Sequence, residues 1–124
     1  LGDGWYDLEG DFGNKYRWIG AHASAVLRRI HTAPQRLRIR GYAHETQFAK
    51  GQTVVEVRVN GTRVTRQTIE RVGLFIIEAD LEADLPAAET YTVEIDALPT
   101  WTAPDDDRTF SVNISMIRLV DAEI

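Results

Sequence analysis

The sequence predicts an all-β fold, an antiparallel β-sandwich of about seven or eight strands. Three observations carry the prediction. Stretches in which apolar and polar residues alternate recur along the chain, as where Leu37, Ile39 and Gly41 interleave with Arg36, Arg38, Arg40 and Tyr42; this is the period-two pattern of a half-buried strand. Between Gln52 and Glu70 two such stretches meet at Asn60-Gly61, the dipeptide that most cheaply accepts the two positive φ angles of a type I′ hairpin turn. Finally, no segment holds a helical period over about ten residues.

Composition bounds the rest. At 124 residues the chain suits one domain that buries about two-thirds of its unfolded surface around a single core. We expect residues 1–124 to form one sandwich domain. The start at Leu1, without methionine or a signal segment, points to a processed protein or, more simply, to a piece of a longer polypeptide. Apolar residues at 44% and charged residues at 27% are ordinary globular values. A net charge of −5 argues against nucleic acid as a partner. The longest aliphatic and aromatic run, Leu74-Phe75-Ile76-Ile77, falls far short of the roughly 20 residues that span a bilayer, so membrane insertion is not expected. With no cysteine, neither a disulfide framework nor a thiol nucleophile is available.

The elements follow in order. Residues 1–20 hold five glycines and five aromatics without a sustained period, which predicts a loop-rich entry wrapping a sheet edge before Tyr16-Arg17-Trp18-Ile19 opens a strand. Ala23, Ala25 and Leu27 alternate with Ser24, Val26 and Arg28 in a second strand ending near Ile30. The arginine-bearing strand of residues 36–42 comes next, then a loop through Phe48 to Gly51. In the hairpin, a two-residue loop sets Val59 opposite Thr62 and Val57 opposite Val64. That register buries Val55, Val57, Val59 and Val64 and turns Glu56, Arg58, Arg63 and Thr65 outward. From Gly73, Phe75, Ile77, Ala79 and Leu81 share one face while Leu74 and Ile76 make the other apolar too, which predicts a central strand covered on both sides at its start. Tyr91, Val93, Ile95 and Ala97 mark another strand. The last is predicted from about Arg108 to Val120, with a bulge near Met116 where the apolar phase switches from Phe110, Val112 and Ile114 to Ile117 and Leu119. Jelly-roll order is the expected topology, because it lays the N-terminal segment beside this last strand.

Few residues point to catalysis. His22, His31 and His44 are scattered, with no nucleophile elbow and no phosphate loop, and read as surface or strand-end histidines. The chain is therefore expected not to be an enzyme and to need no cofactor. Oxygen ligands are plentiful: Asp7, Glu9 and Asp11 alternate in the entry segment, and Asp105 opens a run of three aspartates in the second irregular segment, residues 98–107. Such acids suit a structural calcium ion, although they also suit solvated turns. Aromatic rings gather in the same two segments, and exposed rings there can stack on the apolar face of a sugar. Trp5, Tyr6 and Trp101, with Arg17 to hydrogen-bond hydroxyls, are the candidate ligand-binding residues. Trp18, inside a strand, reads as a core ring; Trp101, beside Pro99, reads equally as packed or exposed. The row Arg36, Arg38, Arg40 could serve as an anion-binding stripe, but reads more simply as a cross-strand charge ladder against Glu94 and Asp96 or Glu56.

Four motifs occur in one order: Gly4-Trp5-Tyr6, Tyr16-Arg17-Trp18, Val57-Arg58-Val59-Asn60-Gly61, and Asp106-Asp107-Arg108 followed by the hydrophobic strand from Phe110 to Leu119. This order resembles the β-sandwich accessory domains, of carbohydrate-binding-module or galactose-binding type, found beside bacterial glycosyltransferases and other glycan-processing enzymes. The likeness spans nearly the whole chain through short motifs. It implies a jelly-roll fold and a non-catalytic role in a glycan pathway, with carbohydrate and a parent or partner glycan-processing enzyme as partners. The chain departs from the pattern after Arg108, where a small residue is expected and Phe110-Ser111 stands. A structural or protein-interaction sandwich, packed on a parent enzyme or self-associating through a sheet face, is the alternative expectation.

Overall fold

The computed structural model describes residues 2–11, 14–28, 35–49, 51–81, 89–102 and 108–121. They form nine strands and one helical turn: β1 (Trp5–Asp11), β2 (Asn14–Ile19), β3 (His22–Arg28), β4 (Gln35–Ala43), α1 (Glu45–Phe48), β5 (Thr53–Val59), β6 (Thr62–Ile69), β7 (Gly73–Asp80), β8 (Thr90–Leu98) and β9 (Asn113–Asp121). A five-stranded sheet runs in the order β1-β2-β9-β4-β7 and a four-stranded sheet in the order β3-β8-β5-β6, with antiparallel pairing throughout. Leaving β1 aside, the remaining eight strands follow jelly-roll order, crossing between the sheets at every connection except the β5–β6 hairpin, and β1 adds an outer strand beside β2.

The core lies between the two sheets. The five-stranded sheet contributes Ile19, Leu37, Ile39, Phe75, Ile77 and Ile114; the four-stranded sheet answers with Val55, Val57, Val59, Tyr91, Val93 and Ile95. Fully burying a valine, leucine or isoleucine contributes about 1.5–3 kcal/mol, so these facing rows are what hold the sheets together. At the hairpin, Asn60 and Gly61 have φ of 49° and 86°, the pair of positive angles that the dipeptide was expected to supply. The turn is also tied to the next strand, since Asn60 Oδ1 accepts from the Thr92 backbone N–H at 2.8 Å.

Several expectations need correction. The described residues form nine strands rather than seven or eight, because the entry segment folds as β1 instead of a loop. Its alternation is hidden by a register shift between Trp5 and Leu8, and as an outer strand it has only one neighbour to demand a clean pattern. The hairpin begins with Val59 opposite Thr62 as expected, but a bulge then sets Arg58 opposite Arg63 and Val57 opposite Thr65, leaving Val64 unpaired and only partly packed on the core. Strand β7 is an edge strand, not a central one, and its Leu74 and Ile76 are 74% and 57% exposed. The arginine ladder exists with other partners: Arg36 pairs with Asp80 at 2.7 Å and Arg38 with Glu78 at 3.1 Å, because β4 lies beside β7, in the opposite sheet from Glu94 and Asp96. A helical turn replaces part of the loop before Gly51. The last strand starts at Asn113, since Phe110 makes only an isolated bridge to Trp101. Its bulge falls where the phase switch placed it: Met116 faces Arg40, Ile114 faces Gly41, and Ser115 is the extra residue.

Two glycines are required for different reasons. At Gly61 a side chain would meet nothing within 4 Å, but φ is +86°; at Gly41 a Cβ would sit 2.5 Å from Asn113 O and 2.6 Å from Phe75 Cζ. Gly61→Val is expected to cost about 1–3 kcal/mol through backbone strain alone, with Gly61→Asn much milder because asparagine tolerates the left-handed region. Gly41→Ala should cost about 1–3 kcal/mol through overpacking and shift β4 against β9. Denaturant unfolding midpoints of the three variants check this; an unchanged midpoint for Gly61→Val would contradict the turn geometry.

Candidate functional site

Alternation along β2 sends Ile19 into the core and Trp18 and Tyr16 to the outer face of the five-stranded sheet. The same rule on β4 turns Tyr42 outward, because Gly41 faces Phe75 on the core side. Register then lines up a row across four strands: Trp18 opposite Asn113, Asn113 opposite Tyr42, and Tyr42 opposite Leu74. These residues, with Tyr16, Ser115 and His44, line a groove of about 400 Å³, within the size range of small-ligand sites. Trp18 thus belongs to the groove and not to the core, a correction to the reading of the sequence.

The rings in this wall brace one another. Trp18 meets Tyr16 edge-on at 6.4 Å, Trp101 at 5.3 Å and Phe110 at 5.5 Å between centroids. His44 stacks on Trp101 at 5.9 Å, while Trp101 and Phe110 approach to 4.9 Å. Tyr6 extends the chain of rings to Phe110 at 5.3 Å, and the Arg108 guanidinium lies over Phe110 at 4.8 Å. Edge-to-face pairs of this kind contribute about 0.5–1.5 kcal/mol each beyond their burial, so the wall is held rigidly. His44 is fixed a second way, as the N-cap of α1, where its ring nitrogen accepts from the Thr46 backbone N–H at 3.2 Å.

Polar groups converge on the same opening. Asn113 is only 7% exposed, yet it lines the groove and its amide makes no hydrogen bond among the described residues. The amide is not among the buried polar atoms that lack a partner, so it opens to the groove, where its donors and acceptor can meet a ligand's hydroxyl. Ser115 presents a hydroxyl from the bulge, and Tyr16 and Tyr42 add phenol groups at the rim.

A larger depression, about 630 Å³, lies on the outer face of the four-stranded sheet near Val54, Glu56, Arg66, Asp96 and Pro99. No aromatic ring lines it. Its Asp96 is already engaged by His22 Nδ1 at 2.7 Å and by Arg58 at 2.8 Å, and Glu94 sits 3.6 Å from the same histidine. This is a cross-strand charge network at a sheet surface, so chemistry favours the smaller aromatic groove over the larger depression.

The ligand-binding residues anticipated from the sequence are placed as follows. Trp5 packs on the core edge with its indole N–H donating to Ser24 O at 2.6 Å. Tyr6 donates through its hydroxyl to Thr109 O at 2.8 Å and accepts from Thr109 N–H at 3.2 Å. Arg17 donates to Tyr6 O at 3.1 Å, and the Trp101 indole donates to Ser111 O at 2.9 Å. Tyr6 and Trp101 meet through Phe110, whereas Trp5 and Arg17 lie around a shallower hollow with Leu8 and Ile117. Trp101 is the one of the four in direct contact with the groove's rings. The groove residues that the sequence reading passed over carried a signal: Tyr42 and Trp18 stand out of phase with their buried neighbours, which places an aromatic ring on an outward face.

For calcium, Asp7 and Glu9 are exposed on β1. The Asp11 side chain and all of Asp105 lie outside the described residues, as do His31 and Asp106. Among the described residues no group of three or more histidines and acids is arranged to hold a metal ion.

The packing of Trp101 yields a stability prediction. Trp101→Ala is expected to cost about 2–4 kcal/mol, less than a full core tryptophan because the ring is half-buried, whereas Trp101→Phe should cost only about 1 kcal/mol for the lost hydrogen bond to Ser111. Thermal and denaturant unfolding check the ordering; equal stability of Trp101→Ala and wild type would mean that the ring is not part of the wall. No protein-family model matches the chain, and no curated protein matches it significantly.

Proposed function

We propose that this chain is a non-catalytic carbohydrate-binding module that holds a sugar ring in the groove on the outer face of its five-stranded sheet. The observation that carries the reading is the unpartnered amide of Asn113 set among Trp18, Tyr42 and Tyr16. A pyranose has an apolar face of C–H groups and a rim of hydroxyls. Rigid aromatic rings satisfy the first by stacking, and an amide with donors and an acceptor satisfies the second. Ser115 and the tyrosine hydroxyls supply further partners at the rim. A single open groove of this size gives weak affinity, which linkage to a parent or partner glycan-processing enzyme would raise through effective concentration.

A second reading, packing against a partner protein or a second copy, is favoured by a different observation: Leu74 and Ile76 are exposed side by side on edge strand β7, where an unpaired strand edge can recruit another chain. Light scattering after size exclusion decides it. Leu74→Glu is expected to leave a monomer unchanged under the first reading, whereas a wild-type dimer that Leu74→Glu dissociates would establish the second.

The direct test of the first reading is a glycan array followed by calorimetric titration of any hit. Tyr42→Ala should weaken binding by about tenfold or more, equivalent to about 1.4 kcal/mol, with little change in melting temperature because the ring is half-exposed. Asn113→Ala should weaken binding comparably without lowering stability, since the amide has no internal partner to lose. An array without hits, or a hit indifferent to both substitutions, would overturn the assignment.

A further inference from the structure

We infer that the sugar taken by the groove carries an anionic substituent, which Arg40 receives at the groove's edge; the inference rests on the groove being a sugar site. The arginines of β4 are not equivalent. Arg36 is paired with Asp80, and Arg38 with Glu78 through both its Nε and an Nη at 3.2 and 3.1 Å. At the next outward position β7 offers Ile76 in place of an acid, and β9 offers Met116. Arg40 therefore has no carboxylate partner among the described residues, and its side chain is exposed.

Its position is set by the groove itself. Arg40 Nε donates to Ser115 Oγ at 3.0 Å, and the Ser115 hydroxyl in turn donates to Arg40 O at 3.3 Å. Ser115 lines the groove and is the extra residue of the β9 bulge. The bulge thus aims a hydroxyl that anchors one edge of the guanidinium and leaves the other nitrogens to meet a ligand. A guanidinium presents paired donors that match a carboxylate or a sulfate group in bidentate fashion.

Charge on this face agrees. On the outward positions of β4, β7 and β9, Arg36, Arg38, Arg40 and Arg118 stand against Glu78 and Asp80 alone. Beyond the groove, β1 sets Glu9 opposite Tyr16, so the surplus of positive charge belongs to these three strands, against a whole-chain charge of −5. A polyanionic glycan is attracted to it, while the net charge discourages non-specific binding of anions elsewhere.

The test titrates the purified domain with three probes: trigalacturonic acid, its neutral methyl ester and a sulfated trisaccharide. The acid is expected to bind about tenfold more tightly than the ester, with an advantage that shrinks as sodium chloride is raised. Arg40→Gln should reduce acid binding to the level of the ester and leave both ester binding and melting temperature unchanged, while Arg38→Gln, whose guanidinium is occupied by Glu78, keeps most of the preference. Tight, Arg40-dependent binding of the sulfated probe would also support an anion site and would extend the ligand to sulfate esters. Equal binding of acid and ester, or indifference to Arg40→Gln, overturns the inference while leaving the sugar groove standing. Failure of wild type to bind any probe, together with an empty glycan array, would remove the groove reading and this inference with it.

Discussion

The pairing of β9 between β2 and β4 is the constraint on which the rest of the molecule depends. It joins the N-terminal part of the chain to the C-terminal part through Arg17 opposite Ile114 and Trp18 opposite Asn113, and it carries a long register on its other side, from Gln35 opposite Asp121 to Tyr42 opposite Asn113. The inner face of this strand brings Ile114 into the core, so the sandwich closes only when it is in place. Its outer face sets Asn113 between Trp18 and Tyr42. One strand therefore completes the core and the groove together, and a change that slips its register disrupts both.

Within that strand the bulge at Ser115 reconciles two demands. Before it, Ile114 faces inward; after it, Ile117 and Leu119 pack toward the core. A strictly alternating strand would send Ile117 outward. Inserting one residue restores the inward phase and leaves Ser115 at the groove beside Arg40. Bulges commonly re-aim side chains next to binding sites, and here the same irregularity serves packing on one face and polar placement on the other. The ion pairs of Arg36 and Arg38 then occupy the far end of the face. Being exposed, they contribute at most about 1 kcal/mol each, so their main effect is to leave Arg40 distinct from its neighbours.

Much of the fold was legible because period-two alternation reports strands directly. The strand at residues 36–42, the Asn60-Gly61 turn and the phase switch near Met116 were all visible as local patterns. Failures came where the answer lay in a neighbour. Alternation separates two faces but does not say which is inside, so the pattern alone favours a core position for Trp18 although its row faces outward. Leu74 and Ile76 made β7 look covered on both sides, whereas the strand's place at a sheet edge leaves them in solvent. The arginines alone announce a ladder, but its acids follow only from the topology that puts β7 beside β4. Likewise β1 was hidden by its register shift. For the site, the aromatic enrichment of the entry and return segments was legible, yet Asn113 and Ser115 are unremarkable letters until the register places them beside Trp18 and Tyr42.

The distribution of the groove along the chain has a consequence for synthesis. Trp18, Tyr42, Leu74 and Asn113 come from four widely separated strands, and the strand in the middle of the sheet is the last to be made. Such non-local pairing is slow to form because distant segments must meet before any contact rewards them. As the polypeptide leaves the ribosome, β1 to β8 emerge with a gap where β9 must enter, and the exposed edges of β2 and β4 wait for it. A chain broken off before residue 113 would keep most of its rings and arginines but would lack the seam that gathers them. The groove on this face is therefore complete only once β9 has docked between β2 and β4.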